Sequence, residues 1–190
     1  IFIDPSFFNG NDGDGVVIGA VADNDGSATV YADLSQVTAS YNGENGFYFY
    51  GTANDGGTAD LAVEMYRVYA DYNDGNGMLI VGEATDDGYL TLYIDVGADG
   101  YQNSFSNNGE NGIAMELAMD GTDSTLYAVL VVEDSDISYN DANGVSVTGQ
   151  LDEGEAALIA VGLTAVTVNN NGEAGLYSDI VTDGVDYVIT

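Results

Sequence analysis

The sequence predicts an all-β chain, a single-domain parallel β-helix. Three observations carry that expectation: a motif that returns at a nearly fixed interval, an apolar/polar alternation of period two inside each repeat, and turns of Asn, Asp and Gly between the alternating runs. The motif is anchored by Gly15, Gly46, Gly77, Gly112, Gly144 and Gly175, at intervals of 31, 31, 35, 32 and 31 residues. Four positions before each anchor stands an asparagine: Asn11, Asn42, Asn73, Asn108, Asn140 and Asn171. No linker, proline-rich stretch or shift in composition interrupts the series, so residues 1–190 read as one domain.

From Ile1 to Phe8 the chain reads as an extended segment broken by Pro5, the only proline, and it leads into the first Asn-Gly turn. Directly after each anchor glycine comes an apolar residue (Val16, Phe47, Met78, Ile113, Val145, Leu176). Two residues on, a second follows in five of the six repeats (Ile18, Phe49, Ile80, Met115, Val147), with Ser178 the exception. The residue between them varies freely, so one face points inward and the other outward. A turn follows, as in Asp23-Asn24-Asp25-Gly26, Asn54-Asp55-Gly56-Gly57 and Asp86-Asp87-Gly88.

The turn feeds a second strand, expected to be the longer one. Its inward residues are Ala28, Val30, Ala32 and Leu34 in the first repeat, then Ala59, Leu61, Val63 and Met65, then Leu90, Leu92, Ile94 and Val96. The same four-position series continues one residue late from Leu126 to Val132 and in register from Ala157 to Leu163. A third short segment precedes each Asn turn, with Phe8, Ala39, Ala70, Phe105, Ile137 and Val168 inward and a small or polar neighbour after each. Three strands and three turns thus close a coil of about 31 residues, about six coils in all, and the extra residues near Gly97 to Asn103 read as a widened turn.

One such coil cannot bury its own inward face. Coils stacked at a strand spacing of ~4.8 Å share a core and pair each strand with its equivalent in the next coil. In that stack the six asparagines form a ladder along one corner, each side-chain amide bonding to the neighbouring coil. The anchor glycine serves that corner either by a positive φ or by a close backbone approach.

The Asn-x-x-x-Gly-apolar motif resembles the parallel β-helix repeat of the pectin-lyase-like superfamily and of related secreted adhesins. The likeness runs through all six repeats and so covers essentially the whole chain. It implies right-handed winding, in agreement with the crossover preference of parallel strands. It also implies a range of functions that includes polysaccharide lyases and hydrolases. The lyases use Arg or Lys as base with Ca²⁺, and the hydrolases use clustered Asp residues.

Charge narrows the function. The chain has 32 acidic residues against a single Arg67, no Lys and no His, and a net charge of −31. That excludes direct binding of nucleic acid or anionic lipid, both of which need cationic contacts. No apolar run approaches membrane-spanning length, so no membrane insertion is expected. The self-repulsion is relieved by salt or bound cations, which points to an extracellular or cell-surface setting and to cation-bridged surfaces as partners. With 45% hydrophobic residues the carboxylates decorate an ordered body, and with no Cys there are no disulfides or thiolate metal sites.

Three groups of residues are candidates for chemistry. Asp33, Glu64 and Asp95, each 31 residues from the next, form a carboxylate column on the outer face of the second strand. The plain reading of the column is a solvated acidic stripe and of the turns ordinary turn chemistry; with the turn residues Asp23 and Asp25 the three are also the candidate Ca²⁺ ligands, since hard oxygen donors without His or Cys suit calcium over zinc. Tyr31 and Tyr93, outward on the second strand, and Tyr48 and Tyr177, outward on the first, are candidate surface contacts for sugars or another subunit. Tyr41, Tyr72 and Tyr139 precede ladder asparagines. No catalytic set is assigned: Arg67 has no second basic residue beside it to hold an acidic sugar, and it is expected to pair with carboxylates such as Glu64.

The expected function is non-enzymatic and structural. An acidic β-helix subunit or segment stacks head to tail on copies of itself into an extracellular filament or surface layer, with Ca²⁺ as a bridge. The start at Ile1 suggests a processed or excised segment, and the chain holds close to a whole number of coils. The alternative is a carbohydrate-binding adhesin module, followed by a fragment of a polysaccharide lyase or hydrolase.

Overall fold

The structure, a computed structural model, describes residues 1–97, 102–152, 154, 156–183 and 186–189. Among these there is no helix; the chain winds as a parallel β-solenoid of about six turns. One six-stranded sheet contains Val16–Ala22, Phe47–Ala53, Met78–Thr85, Ile113–Asp120, Val145–Asp152 and Leu176–Asp183, joined in chain order. A seven-stranded sheet contains Phe2–Ile3, Ser27–Ser35, Thr58–Tyr66, Tyr89–Val96, Thr125–Glu133, Ala156–Thr164 and Asp186–Ile189, also in chain order. Every pairing is parallel and places equivalent residues side by side: Phe47 lies against Val16 and Met78, and Leu61 against Val30 and Leu92.

The expected third strand is much reduced. Ser6–Phe7 pairs with Val37–Thr38 and Asn103–Ser104 with Ser135–Asp136, while Tyr69 bridges Thr38 to Ser104 through single residues. The coil is thus two broad sheets closed by a narrow edge. The expected difference in length between the first two strands is also small, since the first spans seven or eight residues and the second mostly eight or nine. The inner end of the first strand escapes an apolar pattern because it is built of Ala20, Ala22, Gly51, Ala53, Gly82 and Ala84. Large residues from the opposite sheet fill that space: a Cβ on Gly51 would lie 2.6 Å from Leu90 Cδ1 and 2.7 Å from Leu92 Cδ2. Small residues on one sheet and leucines on the other interdigitate, as close packing requires.

The core runs unbroken from coil to coil. Phe47, Phe49, Leu90, Leu92, Ile94, Phe105 and Leu130 are fully buried, whereas Val30 at one end and Val161 and Leu163 at the other are only partly covered. The expected inward residues of the second strand and of the third segment all face this core.

Three corners close each coil. Between the two large sheets sit two-residue turns with φ positive at both central residues (Asn24-Asp25, Asp55-Gly56, Asp86-Asp87), closed by the N–H of Gly26, Gly57 and Gly88 donating to the carbonyls of Asp23, Asn54 and Thr85. This is the type I′ geometry that selects Asn, Asp and Gly. In the fourth coil the turn gains one residue, since Asp120 pairs with Thr85 but Thr125 with Tyr89. The widened turn expected near Gly97–Asn103 falls on residues 98–101, outside the described residues. The register across it lengthens from the 31-residue interval of Met65 and Val96 to the 35-residue interval of Val68 and Asn103.

Of the two roles open to the anchor glycines, the structure selects close approach. A Cβ at Gly46 would lie 2.6 Å from the Ala39 carbonyl oxygen and 2.7 Å from that of Gly77. The left-handed residue is instead the one before each ladder asparagine: Gly10, Tyr41, Tyr72, Asn107, Tyr139 and Asn170.

Candidate functional site

The Asn corner carries three hydrogen-bonded columns. In the first, Asn11, Asn42, Asn73, Asn108 and Asn140 each donate from Nδ2 to the Oδ1 of the next coil's asparagine, over 2.9–3.1 Å, ending on Asn171. The same Oδ1 accepts the backbone N–H of the preceding coil's asparagine, as when Asn108 Oδ1 receives Asn73 N at 3.0 Å. The members from Asn42 to Asn140 are at most 2% exposed, so each amide meets its hydrogen-bonding needs inside the stack.

A second column stands three residues further on and was missed in the sequence. Asn45, Asn76, Asn111 and Asn143 donate backward, each to the preceding coil, beginning on Asp14 Oδ1. The side-chain dipoles of the two columns therefore run in opposite senses along the axis. The signal was the residue directly before the anchor glycine, which is Asn in four repeats and Asp in one. The third column uses the small polar residues after the third segment. The backbone N–H of Ser40, Asp71, Ser106, Ser138 and Asn169 each donates to the side-chain oxygen of the preceding member, from Asn9 onward. Asp71 is the one charged member here. Burial pushes its carboxyl above the usual carboxylate range, against the bonds it accepts from Ser104 Oγ and the Ser106 N–H, each at 2.7 Å, and the nearby Asp136 raises it further.

On the outer face of the seven-stranded sheet, Asp33, Glu64 and Asp95 lie side by side in register. Three tyrosines stand beside this column. By register Tyr31 stands one coil back and diagonal to Glu64, Tyr66 stands two residues beyond Glu64 on its own strand, and Tyr93 Oη donates to Asp95 Oδ2 at 3.3 Å. The Glu64 carboxylate beside it raises the Tyr31 phenol above its ordinary value. Desolvation, with the neighbouring carboxylates, does the same for Tyr66 and Tyr93. Tyr66 lies against the neighbouring coil, for a Cβ at Gly97 would meet its ring at 2.7 Å. Tyr31 and Tyr93 are 51% and 38% exposed.

The other candidates are dispersed. Tyr48 packs against Tyr50 with centroids 5.4 Å apart on the six-stranded sheet, where four coils away Tyr177 Oη donates to Asp179 Oδ2 at 3.3 Å. Asp23 accepts from Asn54 Nδ2 at 3.0 Å, while Asp25 lines an open trough with Asp55, Asp86 and Asp87. Among the described residues, no three acidic side chains converge into a group that could hold a metal ion. Tyr41 and Tyr72 stack with centroids 5.1 Å apart and planes 7° from parallel.

The chain matches no protein-family model, no curated protein and no solved structure. Its reading therefore rests on its own geometry, and a solenoid fold by itself assigns no activity.

Proposed function

We propose that the chain is a structural element: an acidic, non-enzymatic β-solenoid that serves as a length of rod in an extracellular filament or surface layer. The observation that carries this reading is the open-ended bonding between coils. Val16–Ala22 and Leu176–Asp183 are the outermost of the six described strands in their sheet, and each pairs on one side only. Within the last two described coils the core opens into an apolar hollow of about 370 Å³ lined by Val147, Ile159, Val161, Leu163, Leu176, Ser178 and Ile180. Unpaired parallel edges and an uncovered core are templates for another coil. Further coils of the same polypeptide or a second copy can occupy them, and either one lengthens the rod in a head-to-tail sense.

The Asn-x-x-x-Gly-apolar corner supports a relation to the right-handed coils of the pectin-lyase-like superfamily and secreted β-helix adhesins. The charge of −31 supports surroundings rich in salt or calcium, where repulsion between rods is screened or bridged. Negative-stain electron microscopy of the purified chain tests this reading, with NaCl and CaCl₂ added in separate series. Filaments of uniform width are expected, and bridging by calcium promotes them at far lower concentration than screening by sodium. Particles that stay monomeric at high concentration in both series would contradict it.

A further inference from the structure

Where Tyr31, Tyr66 and Tyr93 surround Glu64, we infer a binding platform for an extended, uncharged β-linked glycan. This goes beyond the structural role and does not depend on it. Tyr31 and Tyr93 occupy the same outward position two coils apart, with only Ala62 between them. At the spacing of parallel strands that separates the two rings by about 9.6 Å along the axis. An extended β-linked chain turns alternate sugars the same way at nearly that repeat. Two of the rings are also held in place. Tyr93 is tied to Asp95 two residues along its own strand, and Tyr66 lies against Gly97 of the next coil, where any side chain would meet its ring. A phenol tethered to a carboxylate on its own sheet face lies along the sheet and offers its ring to solvent, and a fixed ring loses little freedom when a ligand stacks on it.

The polar groups narrow the ligand. The Tyr93 phenolic proton is turned toward Asp95, so its remaining oxygen lone pairs face outward as acceptors. A fitting partner brings hydroxyl donors, a flat C–H face and no negative charge, which describes a neutral pyranose. An extended peptide fits less well. A sheet face offers neither a strand edge nor a groove, so the peptide's backbone amides would find no partners there.

The test is a binding assay of the full chain on microcrystalline cellulose and on a soluble neutral β-glucan, in high NaCl so that charge attraction is screened. Retention is expected. Tyr31→Ala and Tyr93→Ala should each weaken it about tenfold, as expected for losing one stacked ring. Asp95→Ala, which frees the Tyr93 phenol, should also weaken it. Tyr41→Ala, at the Asn corner, should leave it unchanged, and circular dichroism checks that each variant is folded. Failure to bind either glucan would overturn the proposal, as would binding indifferent to Tyr31 and Tyr93. A preference for polyarginine that vanishes in high salt would overturn it too, identifying the face as an acidic surface for basic partners.

Discussion

Coils one to three and coils four and five have the same interior and different exteriors. On the seven-stranded sheet the first three present Tyr31, Ala62 and Tyr93 beside Asp33, Glu64 and Asp95. In the same register the next two present Val129 and Ala160 beside Val131 and Gly162. Inward of both, Leu34, Met65, Val96 and Val132 are fully buried without interruption. The difference teaches which positions the fold constrains. An inward residue must match its neighbours above, below and across the sheets, whereas an outward one touches only its own column and water. The carboxylate and tyrosine columns thus mark a surface that the scaffold carries without needing it.

The largest effect expected from breaking this contrast comes from the inside. Leu92→Ala, which empties the space facing Gly51 and Gly82, should lower unfolding free energy by about 2–5 kcal/mol, read as a lower urea midpoint. Its outward neighbour Thr91→Ala should stay within about 0.5 kcal/mol. Next comes the ladder. Asn108→Ala strands the buried backbone N–H and the side-chain Nδ2 of Asn73, both of which donate to Asn108 Oδ1, and should cost about 1–3 kcal/mol for each group left unsatisfied.

A smaller effect depends on pH. Asp71 is raised in the folded chain relative to its ordinary value of 3.8, so its proton favours the folded state. Stability from this group should grow as pH falls through the folded value and level off below the unfolded one. Asp71→Ser, which installs the residue found at Ser40, Ser106 and Ser138, should remove that part of the pH dependence of the urea midpoint. The smallest effect lies on the outer face. Glu64→Gln should let Tyr31 and Tyr66 ionise at lower pH in an alkaline absorbance titration, with the urea midpoint nearly unchanged.

The repeat, the inward alternation and the first asparagine ladder were legible in the sequence because each depends on residue type at a fixed interval. The second ladder was obscured by Asp14 and Ala174, which break its asparagine series at both ends. The inner half of the first strand was obscured because its packing partner is on the other sheet: Gly51 and Gly82 are small on account of Leu90 and Leu92. The left-handed tyrosines could not be read at all. Gly10, Asn107 and Asn170 suit their shared backbone geometry, whereas a bulky side chain there costs on the order of 1–3 kcal/mol, and only coordinates show that Tyr41 and Tyr72 accept it as a stacked pair. The carboxylate column was legible as a column. Its engagement by a phenol was not, since the bond from Tyr93 to Asp95 depends on side-chain geometry that residue type alone does not give.

The central claim is that this solenoid continues as a rod built of in-register parallel coils. X-ray diffraction from an aligned filament preparation tests it most directly. The expected pattern has a strong reflection at ~4.8 Å along the filament axis, because the strands run across that axis and the coils stack along it. A chain that forms no filaments under any salt or calcium condition, or filaments whose ~4.8 Å reflection lies perpendicular to the axis, would contradict it.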